Sequence, residues 1–224
     1  MAVILMGCPA CSDDDSDDRA AKVSASAKGV WTDSRDGQEY GWVRYGKQEW
    51  MTENFRYDLG NEELCTIYLD ADEYETNPEG TRNLAKYGRL YTLKGAEDAC
   101  PDGWRVPSDK DWQQLEQLLG MSAADANRND WRGNIAHNMF SIKDDVCDLN
   151  LLLGGYYTEN INMGRSPWRF MGVFAYYWTS SMDNNKEGEF YFCRKLTYNR
   201  NSVCRMSIDP KHVKLSVRYV RDVE

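Results

Sequence analysis

The stretch that decides the fold is YGRLYTLKGAEDACPDGWRVPSDKDWQQLEQLLGM, which runs from Tyr87 to Met121. Ser108 can accept a hydrogen bond from the first turn of a helix, and Asp111 stands at the third helical position, as in a capping box. The apolar residues from Trp112 to Leu119 recur at helical spacing and form one stripe. The sequence therefore predicts a helix that begins after Ser108 and stops at Gly120.

The residues before this helix predict a tight loop. Pro101 and Gly103 break regular structure, so Trp104 lies on the loop rather than in an element. We expect Trp104 and Trp112 to be core anchors, because large aromatic side chains dominate core burial. A short helix is predicted just upstream, over Thr92 to Ala99.

Most of the remaining chain alternates in a strand-like way. Trp42 to Tyr45 and Gln48 to Met51 flank Gly46-Lys47 and predict a β-hairpin. The later predicted strands are Asn150 to Tyr157, Phe170 to Ser181, Glu189 to Thr197, Val203 to Ile208 and Val213 to Val220. Residues 122–140 are predicted to form a second helical stretch with Trp131 and Met139 buried. Late strands after two helices indicate an α+β fold with a mostly antiparallel, twisted sheet.

These segments resemble, in the same order, the motifs of the Fibrobacter succinogenes major paralogous domain. The motifs are DSRDGQEYGWVRYGKQEWMTENFRY (33–57), KYGRLYTLKGAEDACPDGWRVPSDKDWQQLEQLLG (86–120), GMSAADANRNDWRG (120–133), LLLGGYYTE (151–159), YYWTSS (176–181) and LSVRYVRD (215–222). The resemblance implies a C-type-lectin-like domain over residues 30–224, with the fold that formylglycine-generating enzymes also have. It also implies a surface lipoprotein of the kind found in Bacteroides-type bacteria.

The charge of the chain argues against one class of partner. The formal net charge is −9, from 27 basic and 36 acidic residues. Five of the acidic residues lie within residues 13–18, so the acidity is largely a property of the tail. Because there is no basic stripe, we expect no nucleic-acid partner.

The N-terminal residues predict a membrane anchor. Residues 1–11, MAVILMGCPAC, are interpreted as the remnant of a truncated lipoprotein signal. Leu5-Met6-Gly7-Cys8 resembles a bacterial lipobox, in which Cys8 receives the lipid, and Cys11 is the alternative acceptor. Residues 12–29 are small, polar and acidic and are predicted to be a disordered tether. We expect a lipid-anchored protein of the outer membrane that faces the cell surface.

No catalytic or metal-binding motif stands out in the sequence. His137 and His212 lie far apart in unrelated contexts, and neither belongs to a motif with an orienting carboxylate. The acidic segment over residues 58–84 lacks the spacing of an EF-hand. Zinc spacings and phosphate-binding glycine loops are also missing. We therefore predict a non-enzymatic protein with no metal and no cofactor.

Cysteines leave two hypotheses open. Cys193 and Cys204 lie on consecutive predicted strands, and a disulfide between them is a candidate for an exported protein. Their spacing does not match the catalytic pair of the formylglycine-generating enzymes, so an oxidase of that type is a remote alternative. The resemblance further implies a partner for Cys100 in the terminal strand, but Tyr219 stands at that place.

Aromatic and polar residues cluster in the C-terminal half. The candidate ligand-binding residues are Tyr156, Tyr157, Arg165, Trp168, Arg169, Trp178, Asp183 and Asn184. Flat rings beside amides and carboxylates suit a sugar, which offers apolar faces and hydroxyl edges. One hypothesis is the binding of a glycan or another surface ligand. The alternative is a structural or adhesion component, of the fimbrial type, that docks to another protein.

Overall fold

The helix predicted after Ser108 is helix α3, Asp109–Leu118, in the computed structural model, which describes residues 20–69, 81–141, 146–160 and 166–223. The Ser108 side chain accepts a hydrogen bond from the Asp111 N–H, and the Asp111 carboxylate accepts one from the Ser108 N–H. Gly120 follows with a φ of 107°, a conformation that costs glycine little. The predicted start and stop of this helix are therefore confirmed.

Both predicted tryptophan anchors lie in the core. Trp112 is fully buried, and Trp104 on the preceding loop is nearly so. The ring centroids of Trp112 and Trp50 are 4.8 Å apart, which joins the helix to the hairpin. Thr92 caps the short helix upstream by accepting a hydrogen bond from the Gly95 N–H.

Helices and antiparallel strands make up the described part of the chain. The helices are α1 Thr81–Tyr87, α2 Leu93–Asp98, α3 Asp109–Leu118 and α4 Ala123–Asn127, with 3₁₀ turns at Ala136–Asn138 and Pro210–His212. The strands are β1 Ala27–Thr32, β2 Glu39–Tyr45, β3 Gln48–Met51, β4 Cys65–Ile67, β5 Arg89–Tyr91, β6 Asp130–Arg132, β7 Tyr156–Thr158, β8 Trp168–Arg169, β9 Phe174–Met182, β10 Tyr191–Thr197, β11 Val203–Ile208, β12 Val213–Lys214 and β13 Val220–Asp222. The α+β class is confirmed. Within the described ranges, no helix has the length and apolarity to cross a membrane.

The strands form several small sheets rather than one large sheet. The strand orders are β1-β2-β3-β13, β6-β11-β10-β9, β12-β7-β8 and β4-β5. The predicted hairpin is β2-β3, in which Tyr45 pairs with Gln48 across Gly46-Lys47. Strand β13 pairs with β3, so the end of the domain is tied to its beginning. The pairings between the named strands are antiparallel, as predicted.

Strand β9 divides the hydrophobic core into two clusters. Successive side chains of a strand point to opposite faces. Tyr177 accordingly packs in the cluster that contains Trp112 of α3, whereas Tyr176 and Trp178 belong to the other cluster, with Trp104. The β6-β11-β10-β9 sheet is therefore covered by α3 on one face and by a second aromatic layer on the other.

Two of the later predicted strands differ most from their predicted bounds. The segment predicted as a strand from residue 150 is irregular until β7 begins at Tyr156. The predicted strand over residues 213–220 is divided into β12 and β13. The residues between β12 and β13 form single bridges, from Leu215 to Tyr91 and from Ser216 to Tyr177, instead of one ladder. The apolar residues of this segment reflect burial on both of its sides and not continuous pairing with one neighbouring strand.

The predicted helical stretch over residues 122–140 is wrong in its centre. Helix α4 covers only five residues, and β6 follows immediately. Met139 is buried as predicted, but Trp131 is only half-buried, because β6 is the edge strand of its sheet. Sheet pairing with β11 overrides the helical pattern here.

The predicted tether is also too long. Residues 20–29 belong to the folded domain: Ala20, Val23 and Ala25 pack against the core, and β1 begins at Ala27. Six consecutive residues of β1 pair with β2. The backbone groups of β1 therefore have hydrogen-bond partners, and this pairing orders a segment that buries little apolar surface. The lipidation candidates Cys8 and Cys11 lie outside the described residues, as do residues 70–80 of the acidic segment.

Candidate functional site

The predicted aromatic cluster divides between core and surface. Trp178 is 0% exposed, and its indole N–H donates to the Tyr91 carbonyl at 2.7 Å. It is therefore a core residue, and its place in the predicted site is wrong. Trp178 shares its face of β9 with Tyr176, so the alternation in the sequence could not separate the environments of these two residues.

Two further predicted ligand contacts, Asp183 and Asn184, lie on the turn after β9, which is stabilised by its own hydrogen bonds. The Asp183 carboxylate accepts hydrogen bonds from the Ser207 hydroxyl at 2.7 Å and from the Asn185 N–H at 3.2 Å. Because Asp183 is buried and its oxygens are engaged, it stabilises the turn after β9 instead of facing a ligand. Asn184 is exposed beside it, at the tip of that turn. Arg165 lies outside the described residues.

A cleft opens where strands β7, β9 and β11 meet, and Tyr156 and Tyr176 form one wall of it. We call this the tyrosine cleft. It has a volume of about 320 Å³ and is lined by Tyr156, Thr158, Asn160, Tyr176, Met206, Ile208, Asp209, His212 and Val213. The ring centroids of Tyr156 and Tyr176 lie 4.9 Å apart, with an angle of 61° between the planes. An aromatic wall, an apolar floor and a polar rim are the usual composition of a small-ligand site.

Polar groups line the cleft, and some of them have no hydrogen-bond partner among the described residues. Tyr176 is 8% exposed, and no hydrogen bond to its hydroxyl is found within the described part of the chain. His212 contacts the Glu159 carboxylate at 3.2 Å at the surface. The Asn160 N–H donates to the Thr158 hydroxyl, which leaves the Asn160 amide for other contacts.

Local backbone geometry brings the aromatic residues together. Gly155 has a φ of 65°, and a Cβ there would lie 2.2 Å from the Arg169 carbonyl oxygen. Only glycine therefore lets β7 approach β8 this closely. Phe170 has a φ of 61°, which is uncommon for a bulky residue. Its side chain is 48% exposed, and its ring contacts those of Tyr156 and Phe174. Such conformations are concentrated at binding sites.

The other predicted aromatic residues form a separate row on the opposite face of β12-β7-β8. Tyr157 pairs with Trp168 on one side and with Lys214 on the other, so the three side chains share a face. The Trp168 ring meets the Tyr157 ring at 5.7 Å, and the Lys214 ammonium lies 4.1 Å from its centroid. Arg169 pairs with Tyr156 and lies on the cleft side of the sheet.

The predicted disulfide is absent from the described structure, where Cys193 and Cys204 are both free. Cys193 faces Met206 and Cys204 faces Lys195, so the two thiols are diagonal neighbours rather than a direct cross-strand pair. A disulfide needs a Cα separation below about 7 Å with converging Cβ atoms, which this register does not favour. Burial raises the pKa of the Cys193 thiol to about 12 and that of Cys204 to about 11. Both thiols are therefore poor nucleophiles near neutral pH.

Tyr219 occupies the place at which the resemblance implied a partner for Cys100. Its hydroxyl donates to the Ala96 carbonyl at 2.5 Å on helix α2. The Cys100 thiol instead faces the Trp104 carbonyl at 3.2 Å. The terminal segment is thus fixed to α2 by a hydrogen bond where a covalent link was implied.

Comparison with known proteins identifies one family. The model of the Fibrobacter succinogenes major domain matches residues 43–221, which include the tyrosine cleft and most of both core clusters. No curated protein and no solved structure is significantly similar to the chain.

Proposed function

This chain belongs to the Fibrobacter succinogenes major domain family, and we propose that it is a non-catalytic cell-surface lipoprotein that binds a glycan in the tyrosine cleft. The observation that carries the proposal is the contact between the rings of Tyr156 and Tyr176, which lie beside Met206 and Ile208 in the cleft. A pyranose ring has an apolar face that packs on aromatic rings, and its hydroxyl edge suits the rim groups of Asn160 and Asp209.

The chemistry of the cysteines supports a binding role over an oxidase. Catalysis by a thiol needs a thiolate, and burial opposes ionisation of Cys193 and Cys204. A C-type-lectin-like fold remains part of the proposal. It agrees with the mixture of short helices and antiparallel sheets and with the pairing of the last strand with the first hairpin.

The glycan proposal is tested with a glycan array followed by titration calorimetry. Tyr156→Ala removes one wall of the cleft, and we expect it to weaken binding at least about tenfold, as for loss of a central aromatic contact. Tyr198→Ala is the matched control, because Tyr198 is 57% exposed and lies outside the cleft. Circular dichroism checks that both variants fold. Equal affinity of Tyr156→Ala and the wild type would place the site elsewhere.

A docking role is the second candidate, and a different surface favours it. A groove of about 630 Å³ lies between the β2-β3 hairpin and α3 and is lined by Tyr45, Lys47, Gln48, Gln114, Gln117, Leu118, Asp222 and Val223. Leu118 is 48% exposed in this groove, an apolar centre with an amide rim. A chain that binds no sugar but co-purifies with a cell-surface protein, and loses it in Leu118→Asp, would support this role.

We also propose attachment to the outer membrane through a lipid on Cys8, with Cys11 as the alternative. The lipobox-like Leu5-Met6-Gly7-Cys8 supports this location. Mass spectrometry of the protein extracted from membranes should find an acylated N-terminal cysteine, which several acyl chains would anchor firmly. An unmodified chain that begins at Met1 in the soluble fraction contradicts it.

A further inference from the structure

One row of side chains crosses the whole β6-β11-β10-β9 sheet beside the tyrosine cleft. Trp131 pairs with Cys204, Cys204 with Lys195, and Lys195 with Tyr176, so the four side chains share one face. We call this the cationic row. Its last member, Tyr176, is also a wall of the cleft.

Aromatic rings hold the ammonium of Lys195 in this row. Its Nζ lies 4.2 Å from the Phe174 centroid, 5.4 Å from that of Tyr176 and 5.7 Å from that of Trp131. Arg200 is exposed and places its guanidinium 5.0 Å from the same Trp131 ring. Cation–π contacts fix the direction of these long side chains without neutralising them.

Neither cation is paired with a carboxylate among the residues that the structure describes. Asp130, the residue before Trp131, faces the Cys204 sulfur at 3.8 Å and makes no ion pair with Lys195 or Arg200. Arg169, which shares its face with Tyr156, likewise has no acidic partner in those residues. In a chain with a net charge of −9, this side of the cleft is locally cationic. Asp209 lines the cleft as well, and Glu159 contacts His212, another residue of its lining.

We propose that the tyrosine cleft selects an anionic saccharide, with a carboxylate or sulfate directed to Lys195 and its sugar ring in the cleft. This inference rests on the proposed glycan-binding function and names its ligand class. An ammonium already oriented by three rings loses little conformational freedom when it pairs with an anion. The carboxylates of Asp209 and Glu159 repel the same group and thereby set the direction of the sugar.

Matched oligosaccharide pairs test the inference by calorimetry. The pairs are oligogalacturonate with its methyl ester, for a carboxylate, and carrageenan oligosaccharides with their desulfated form, for a sulfate, so that the members of each pair differ only at the anionic group. We expect the anionic member of at least one pair to bind about tenfold more tightly, the effect of one charge-assisted hydrogen bond. Raising the salt concentration should reduce that preference.

Substitution of Lys195 distinguishes the preference for anionic sugars from the binding of sugars in general. Lys195→Met keeps the aliphatic stem on the rings, and we expect it to abolish the preference for anionic sugars while affinity for neutral sugars is retained. Lys186→Met is the matched control, because Lys186 makes a similar contact with Phe190, at 4.7 Å, outside the cleft. Equal affinity for both members of every pair, or a preference that survives in Lys195→Met, overturns the inference but leaves the proposed function standing. If no sugar of either kind binds, both fail.

Discussion

Individual charged residues join helix α3 to the sheet beneath it, beside the apolar contacts of Trp112 and Leu115. Arg194 is fully buried and donates to Glu116 at 2.7 Å and to Asp109 at 2.8 Å. Arg205 and Arg132 complete the cluster through Asp109 and Glu116 respectively. Buried ions are costly unless they are fully paired, so the loss of one partner leaves an uncompensated charge.

Acid should weaken this cluster. Burial alone would raise the pKa of Asp109, but the hydrogen bonds and charges of Arg205 and Arg194 outweigh burial and lower it. A carboxylate whose pKa is lowered in the folded state contributes its full stability at pH values above its unfolded-state pKa of about 3.9. This stability is lost as the pH falls through the pKa of the folded state. Urea denaturation between pH 7 and pH 2.5 should show the decline. Asp109→Asn should cost about 3 kcal/mol at pH 7 and flatten the pH dependence. Asp98→Asn, on the surface, is the control.

Lys214 is a buried cation that makes no ion pair with any residue that the structure describes. It is 3% exposed, its ammonium lies against the Tyr157 ring, and the charge of Glu159 acts on it only from a distance. Burial lowers the pKa of Lys214 from its ordinary 10.5, so the folded state holds this proton less tightly than the unfolded chain does. The resulting penalty is present at neutral pH and disappears as the pH rises toward 10.5.

Lys214→Met should therefore stabilise the protein by about 1 kcal/mol at pH 7, because it removes a buried charge and keeps the stem. The gain should shrink as the pH is raised toward 10. Lys94→Met, at an exposed i,i+4 pair with Asp98, should stay within about 0.5 kcal/mol of the wild type. A loss of stability in Lys214→Met would mean that the cation–π contact outweighs burial.

At the scale of elements, helix α3 depends on its first turn. Ser108 and Asp111 form the capping box, and Asp111 also receives Arg105, whose second partner is Asp222 of β13. The cap thus links the helix to the last strand. Sequence alone predicted the box but not this second link.

Ser108→Ala should destabilise the protein by about 1 kcal/mol, because one N–H of the first turn loses its acceptor. Chemical denaturation measures the change. Ser122 caps α4 in the same way, through the Asp125 N–H. Because α4 has five residues at the surface, we expect a smaller loss for Ser122→Ala. Equal losses would show that position in the fold has no influence on the cap.

Strand β1 shows how a polar segment becomes an element. Its residues alternate between half-buried and exposed, and Trp31 contacts Tyr40 and Trp104 with centroids 6.0 and 5.7 Å apart. Gly29 lies against the Trp42 ring, where a Cβ would approach to 2.4 Å. The segment is ordered by its contacts with β2 and not by its own composition.

Trp31→Ala should cost about 2 kcal/mol in the free energy of unfolding, the value of a partly buried large side chain. Val30, its neighbour, is 64% exposed. Val30→Ala should therefore change stability by less than about 0.5 kcal/mol. If both substitutions were neutral in thermal and urea unfolding, β1 would be part of the tether after all.

At the scale of the whole molecule, the terminal segment from Val213 to Val220 crosses the centre of the fold. All eight of its residues are buried, and it bridges to β5, to β9 and to the loop of Arg105. Arg218 donates to the Asn54 side chain and to the carbonyls of Met51, Leu149 and Asn150. One guanidinium therefore links the terminal segment to two distant parts of the chain, at residues 51–54 and 149–150.

Arg218→Lys should destabilise the protein by about 3 kcal/mol, because an ammonium cannot satisfy four acceptors in this planar arrangement. Differential scanning calorimetry and urea unfolding should agree. Arg128→Lys is the control, since Arg128 forms a surface pair with Asp125 and is 63% exposed on its side chain. We expect that control to lie within about 0.5 kcal/mol.

The sequence by itself determined the elements that depend on neighbours in the chain. The α3 cap, the Gly46-Lys47 turn, the α+β class and the burial of Trp104 and Trp112 all follow from local patterns, because capping and turn geometry involve residues only a few positions apart. Motif order likewise predicted the family. Of the candidate ligand contacts named from the sequence, Tyr156 lines the tyrosine cleft and Arg169 pairs with it across β7 and β8.

Only the tertiary structure decided which part of a strand face is covered. Trp178 is in the core while Tyr176 lines the cleft, although both side chains lie on the same face of β9, because other segments cover that face at Trp178 and leave a cleft at Tyr176. Met206 of the tyrosine cleft and Lys195 of the cationic row lie on strands that meet only through sheet pairing. Local sequence could not indicate them, since register is set by contacts between distant segments.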